Sequence, residues 1–138
     1  MSREWRFEEL KIDQRASYLH QVTKKDVDDF AVISGDMTAL HIDPVYARKE
    51  HFRDRVVHGM FLGALVSRLV GMELPGKYSL LLSAHLYFKK PVYIGDELIV
   101  EGKIRHKSES TRIVDMHIGI LRNKETVTEG LVHVRVLF

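Results

Sequence analysis

The chain has 138 residues, the usual length of one domain, and its 45% hydrophobic and 29% charged residues are typical of a folded globular protein. The absence of cysteine excludes disulfides, a thiolate nucleophile and any Cys-ligated metal. The formal net charge is only +2, and the basic residues are scattered among acidic ones, so we expect no nucleic-acid partner.

The first predicted elements are a short strand over residues 15–22 and a short helix over residues 23–33. Thr23 can cap this helix, because threonine side chains accept hydrogen bonds from free amides of a first turn. A second short helix is predicted to begin at Asp43, because an N-cap residue followed by proline is a typical helix start. We expect the rest of residues 34–58 to be irregular and polar.

A long apolar helix is predicted over about residues 58–73, and Pro75 and Gly76 end it. Its apolar residues cover most of the circumference, which predicts a helix enclosed by the rest of the protein. Charged residues interrupt it, and it falls short of the roughly 20 apolar residues that a membrane span needs. Because the first residues also lack the apolar core of a signal peptide, we expect a cytoplasmic protein with no membrane partner.

Four antiparallel strands are predicted after this helix, the first of them over residues 80–88. Apolar residues alternate with polar ones in the three later strands, and this pattern predicts one buried face for each strand. Turns are predicted at residues 95–96 and 107–110. The simplest arrangement is an α+β fold in which a curved sheet wraps around the helix. Because open sheet edges are usually covered, we also expect a homodimer.

Asp36 and His41 are the first candidates for chemistry, and they lie five residues apart in the segment SGDMTALHID. Five residues turn an α-helix by about 140°, and an odd spacing puts two side chains on opposite faces of a strand. The two side chains therefore converge only if the chain bends, and Gly35 makes a bend easier. A converging carboxylate and imidazole can hold a water molecule and move its proton.

A second candidate is the start of the long helix, at His58, Gly59 and Met60. The first amides of a helix have no partner within it, and they can stabilise the negative oxygen that develops in a reacting thioester. Gly59 would let a carbonyl approach the backbone closely. With an activated water, such a site suits the addition of water to an α,β-unsaturated thioester.

These segments resemble the MaoC-like, (R)-specific enoyl-CoA hydratases. That family carries a motif of the form Ser-Gly-Asp-x-Asn-Pro-aliphatic-His-x-Asp, and later an aliphatic-His-Gly-Met start to its central helix. This chain reads SGDMTALHID and then VVHGM, and LPGK and KPVYIGDE further on also look like family segments. The resemblance covers roughly residues 20–138.

The resemblance implies that residues 1–138 form a single MaoC-like hot-dog domain of the α+β class, with an antiparallel sheet wrapped around a long central helix. It also implies an acyl-CoA or acyl-carrier thioester substrate, a homodimer and no cofactor. Asp36 and His41 would be the catalytic pair. The substrate-binding candidates are Gly59, through its backbone N–H, His58 and Ser67.

The chain departs from the family motif at two positions, where Thr38 replaces Asn and Ala39 replaces Pro. Threonine offers one hydrogen-bond donor where asparagine offers two, and the loss of proline frees the backbone. These changes keep two alternatives to a hydratase open, namely an acyl thioesterase on the same fold and a non-catalytic thioester-binding homologue.

Structural roles for the candidate residues are also open at this point. Asp36 could cap a turn, and His41 could be a buried histidine of the core. A metal site made of His41, Asp43, His51 and His58 would match no zinc signature, so we expect no metal.

Overall fold

The computed structural model describes residues 1–138, which form a five-stranded sheet and four α-helices. The strands are β1 (Arg15–Gln21), β2 (Ser79–Phe88), β3 (Glu97–Ser108), β4 (Ile113–Arg122) and β5 (Glu125–Val136). The helices are α1 (Lys24–Ser34), α2 (Ala39–Ile42), α3 (Pro44–Lys49) and α4 (Gly59–Arg68), and a π-helical turn (Leu69–Glu73) continues α4. None of the helices has the length and apolar run that a membrane crossing requires.

The sheet is antiparallel throughout, with the strand order β1-β3-β4-β5-β2. The three central strands each bury one face, as their alternating sequences predict. The N-terminal strand β1 pairs with β3 and becomes the fifth strand of the sheet. With α4 packed into its concave side, this arrangement confirms the predicted α+β hot-dog fold.

The two predicted helix starts are confirmed by their caps. The Thr23 hydroxyl accepts a hydrogen bond from the Asp26 amide at 3.0 Å, and the Asp26 carboxylate accepts one from the Thr23 amide. The Asp43 carboxylate likewise accepts bonds from the amides of Val45 and Tyr46 at the start of α3. Both patterns are local, which is why the sequence alone reveals them.

The core forms where α4 and the π-helical turn lie against the sheet. Leu65 and Leu69 are almost completely buried there, together with Met116 and Ile118 of β4. Gly102 of β3 permits this close packing, because a Cβ atom built at that position would lie 2.8 Å from the Leu69 side chain. Any larger residue at this position would force the side chains of Leu69 and Met116 to shift.

The prediction that the central helix is enclosed on all sides is wrong for one face. Met60 is 66% exposed, and Ala64 and Ser67 are also exposed. The regular helix is also shorter than predicted, because it ends at Arg68 and the π-helical turn follows. One curved sheet covers only one side of a helix, so apolar residues on the other side lie open in a single chain.

The edge strand β2 differs from the three later strands, since most of its residues are exposed. Leu81 and Ala84 lie opposite the buried Val134 and Val132 of β5, so they point to the same side of the sheet as the core. Nothing in this chain covers them. The β2–α4 surface, as we call it, consists of Met60, Ala64, Ser67, Leu81 and Ala84.

Candidate active site

The bend predicted between Asp36 and His41 is present. Gly35 ends α1 in the left-handed conformation (φ 75°), and its amide donates to the carbonyl of Ala31. The chain then enters α2, a four-residue helix that the sequence did not predict. As a result, Oδ2 of Asp36 lies 3.8 Å from Nε2 of His41. A water molecule can hydrogen-bond to both atoms across this gap.

The His41 ring is oriented by the main chain. Its Nδ1 lies 2.6 Å from the carbonyl oxygen of Val56. A carbonyl oxygen only accepts hydrogen bonds, so Nδ1 carries a proton and donates it. In the neutral imidazole the lone pair is then on Nε2, the nitrogen that faces Asp36.

Arg55 holds the backbone of this segment in place. Its side chain is almost fully buried, and Nε donates to the carbonyl oxygen of His41 at 2.6 Å. Its Nη2 donates to the Asp28 carboxylate of α1, also at 2.6 Å. One guanidinium therefore joins α1 to α2. The sequence does not single out Arg55, because nothing local distinguishes it from the scattered basic residues.

The Asp36 carboxylate is an anion held by Thr38. The Thr38 hydroxyl donates to Oδ1 of Asp36 at 2.5 Å, and the Thr38 amide donates to the same oxygen at 3.1 Å. The Thr38 hydroxyl is the main cause of a lowered Asp36 pKa, followed by the Thr38 amide and then by the charges of His41 and His58. Asp36 is therefore ionised at neutral pH and able to accept a proton.

His58 is the third titratable side chain at this position. Its Nε2 donates to the main-chain carbonyl of Asp36 at 3.0 Å, and its ring stacks on His41 with centroids 3.9 Å apart. Phe30 packs edge-on against its other side. The His58 ring is 2% exposed, and its Nδ1 has no hydrogen-bond partner. A buried nitrogen of this kind remains able to accept a hydrogen bond.

Candidate ligand atoms of Asp36, His41 and His58 lie within 4.8 Å of one another, a different set from the one rejected on spacing. A metal ion must lie close to the plane of each imidazole that binds it. The two rings are stacked with only 24° between their planes, so their in-plane lone pairs do not converge on one ion at bonding distance. The geometry favours a hydrogen-bonded pair over a metal centre.

A groove of about 300 Å³ opens beside His41, and six of its lining residues are hydrophobic. Gly59 lies in its wall at the start of α4, and the Gly59 amide has no backbone acceptor. A Cβ atom built on Gly59 would lie 3.0 Å from the ring of Phe88, which also lines the groove. Glycine therefore leaves an amide free at a position where any side chain would press against Phe88.

Ser67 is the one candidate that lies neither in the Asp36–His41–His58 cluster nor in the lining of this groove. It lies eight residues after Gly59, about 12 Å along the helix, and is exposed on the β2–α4 surface. A larger groove of about 540 Å³ lies on the outer face of β1, β3 and β4 and contains none of the candidates. Its lining is mostly charged and polar, which does not suit an acyl chain.

The site combines an ionised carboxylate (Asp36), an oriented imidazole (His41) and a free helix amide (Gly59) beside an apolar groove. This combination suits acid–base chemistry on a molecule with an apolar chain. The chain belongs to the MaoC-like family: the family pattern described as "MaoC like domain" matches residues 7–126.

Curated relatives support this assignment. The chain is 37% identical over 107 residues to an (R)-specific enoyl-CoA hydratase of Aeromonas caviae, covering 78% of this chain and 80% of that protein. It is 39% identical over 90 residues to a mitochondrial 3-hydroxyacyl-[acyl-carrier-protein] dehydratase of Arabidopsis thaliana, covering 65% of this chain and 53% of the plant protein.

Among solved structures, an unliganded R-hydratase from Pseudomonas aeruginosa superimposes with a TM-score of 0.91 at 31% identity. The match covers 96% of this chain and 86% of that one. The resemblance to the (R)-specific enoyl-CoA hydratases is thereby confirmed.

Proposed function

We propose that this protein is a hydro-lyase that catalyses the reversible, (R)-specific hydration of an enoyl thioester to a 3-hydroxyacyl thioester. Asp36 is the general base, and His41 is its partner. The observation that carries the proposal is the 3.8 Å gap between Asp36 Oδ2 and His41 Nε2 beside an apolar groove. The named activities of the relatives, one hydratase and one dehydratase, are the two directions of this reaction.

In the hydration direction, the water between the pair loses a proton to Asp36 as its oxygen bonds to C3 of the enoyl group. The electron pair of the C2–C3 double bond shifts into a C1–C2 double bond and the carbonyl π pair moves to the thioester oxygen, where the Gly59 amide and the positive end of α4 stabilise the charge of this enolate. The proton then passes from the pair to C2. Water has been added across the double bond, and Asp36 and His41 return to their starting states.

The remaining candidates have supporting parts in the proposal. His58 binds the segment that contains Asp36 and stacks on His41, so it contributes to substrate binding by shaping the site. Ser67 lies further along α4, and we assign it to the acyl chain rather than to the thioester. The substrate is carried by CoA or by an acyl carrier protein, since both occur in the names of the relatives.

We also propose that residues 1–138 work as one hot-dog domain within a homodimer in the cytoplasm. The β2–α4 surface supports the dimer, because it exposes apolar side chains next to an edge strand with unpaired backbone groups. A second copy could continue the sheet at β2 and cover Met60 and Ala64. Ser67 would then lie at the interface.

The test is the loss of enoyl absorbance with crotonyl-CoA and with a longer trans-2-enoyl-CoA. We expect the wild-type protein to be active and Asp36→Asn to lose at least about 100-fold in kcat, because the amide cannot accept the proton. Asp29→Asn is the matched control, since Asp29 is exposed on α1 away from the site. Hydration by Asp36→Asn at the wild-type rate would contradict the proposal.

If the folded wild-type protein were inactive, the proposed hydratase function would be wrong. Release of free thiol from saturated acyl-CoA would then identify a thioesterase. Binding of acyl-CoA without turnover would identify a non-catalytic homologue.

A further inference from the structure

Thr38 makes both of the hydrogen bonds that the Asp36 carboxylate receives. Both end on Oδ1, with the hydroxyl at 2.5 Å and the amide at 3.1 Å. Oδ2 accepts no bond from the protein and has His41 Nε2 as its facing group, at 3.8 Å. The two carboxylate oxygens thus have different surroundings.

This difference matters because the Asp36 side chain is 45% exposed. An exposed carboxylate exchanges its two oxygens by rotating about its terminal torsion, which has only broad minima. Two donors on one oxygen, one of them part of the main chain, oppose this rotation. His41 is held independently through the carbonyl of Val56, so both members of the pair have restrained orientations.

We propose that Thr38 is the positioning residue of Asp36, whose hydroxyl holds Oδ1 so that Oδ2 alone takes the proton of the reacting water. Threonine thereby supports the pair where the family motif has asparagine. The inference rests on the proposed hydratase function, and it predicts that the departure from the motif is compatible with catalysis. In this role Thr38 acts through Asp36, to which its hydroxyl and its amide both donate.

The pH dependence follows from the same contacts. The groups that face Asp36 are the Thr38 hydroxyl and amide, His41 of α2 and His58 at the start of α4, and all of them favour the carboxylate over the acid. Removing the hydroxyl therefore raises the Asp36 pKa towards its ordinary value. Because the base must be ionised, activity then begins to fall at a higher pH on the acid side.

The experiment compares Thr38→Val with Thr38→Ser. Valine has the shape of threonine without the hydroxyl and tolerates the polyproline-like backbone of this residue (φ −55°, ψ 133°), and serine keeps the hydroxyl. We expect Thr38→Val to lower kcat roughly 10- to 100-fold with KM unchanged, as for a misplaced catalytic group. The acid limb of its pH–rate profile should move to higher pH. Thr38→Ser should resemble the wild type in both kcat and pH–rate profile. Thr111→Val, in the exposed turn between β3 and β4, is the matched control.

A second measurement needs no activity: the titration of the Asp36 carboxyl carbon by NMR, with Asp36→Asn identifying the signal. Thr38→Val should raise the Asp36 pKa, and Thr38→Ser and Thr111→Val should leave it unchanged. Identical titration curves in wild type and Thr38→Val would overturn the inference, as would an unchanged kcat. If the wild type hydrates no enoyl thioester, the proposed function fails, and this titration still decides whether Thr38 holds the carboxylate.

Discussion

At the residue scale, the two histidines of the site are both anchored by main-chain carbonyls. His41 donates through Nδ1 to Val56, and His58 donates through Nε2 to Asp36. Their rings then stack, so each also restricts rotation of the other. The tautomer of His41 that leaves Nε2 free for the water is a consequence of the Val56 carbonyl rather than of Asp36.

The role of Nε2 of His41 can be separated from the role of the hydrogen bond between Nδ1 and the Val56 carbonyl. In His41→Asn the side-chain amide can still donate to the Val56 carbonyl, but no group replaces Nε2. We expect kcat to fall at least about 100-fold while the thermal unfolding midpoint changes little. His51→Asn is the control, because His51 has a positive φ of 68° that asparagine adopts readily. Full activity of His41→Asn would exclude Nε2 from the reaction.

Gly59 offers a second test at this scale, because the space beside it is occupied by Phe88. We expect Gly59→Ala to lower kcat/KM at least about tenfold, since the new methyl group displaces Phe88 into the groove. Gly71→Ala, where a Cβ atom would meet nothing within 4 Å, is the matched control. The double variant Gly59→Ala/Phe88→Ala should recover activity. Persistent inactivity in the double variant would show that the loss has a cause other than this contact.

At the element scale, the site is an assembly of short helices that have little stability of their own. Helices α2 and α3 have four and six residues, too few to be stable in isolation. The guanidinium of Arg55 joins α2 to α1, and the Val56 carbonyl anchors the His41 ring next to it. Arg55 and Val56 therefore hold α2 and the His41 ring against the rest of the fold.

Substitution of Arg55 should affect stability and rate together. Arg55→Gln leaves the carbonyl of His41 without its charged donor, and we expect the free energy of unfolding to drop by about 2 kcal/mol. Arg55→Lys keeps the charge but lacks the planar fork that reaches both partners, so we expect an intermediate loss. Denaturant unfolding and kcat measure the two effects, and Arg53→Lys, at an exposed position, is the control. If Arg55→Gln had the stability and the kcat of the wild type, Arg55 would not be the residue that holds α2 against α1.

At the scale of the whole molecule, the β2–α4 surface is the main feature that a single chain leaves unexplained. It brings an exposed apolar helix face next to an edge strand, and both are costly to leave in water. The other edge of the sheet, β1, exposes Leu19 but has no such helix face beside it.

A charge placed on this surface should therefore dissociate a dimer. We expect Ala64→Arg to convert a dimeric wild type into monomers in light scattering coupled to size-exclusion chromatography, because the arginine would be buried without a partner. Leu19→Arg, at the β1 edge, should leave the mass unchanged. A monomeric wild type, or a dimeric Ala64→Arg, would refute the dimer proposed through this surface.

The sequence by itself determined the features that depend on neighbouring residues. The cap at Thr23, the helix start at Asp43 and the alternating faces of β3, β4 and β5 follow from short-range spacing and side-chain chemistry. The spacing of Asp36 and His41 showed that the two can meet only if the chain bends between them, and the resemblance of the surrounding motif implied that they do.

Only the tertiary structure decided the contacts between elements. The bond from Arg55 to the His41 carbonyl, the anchor at Val56 and the stacking of His58 join segments that are 14 to 17 residues apart, and no local pattern encodes them. The open face of α4 was mispredicted because hydrophobicity specifies that a surface must be covered but not what covers it. The geometry of packing selects the partner, and that selection depends on the whole fold.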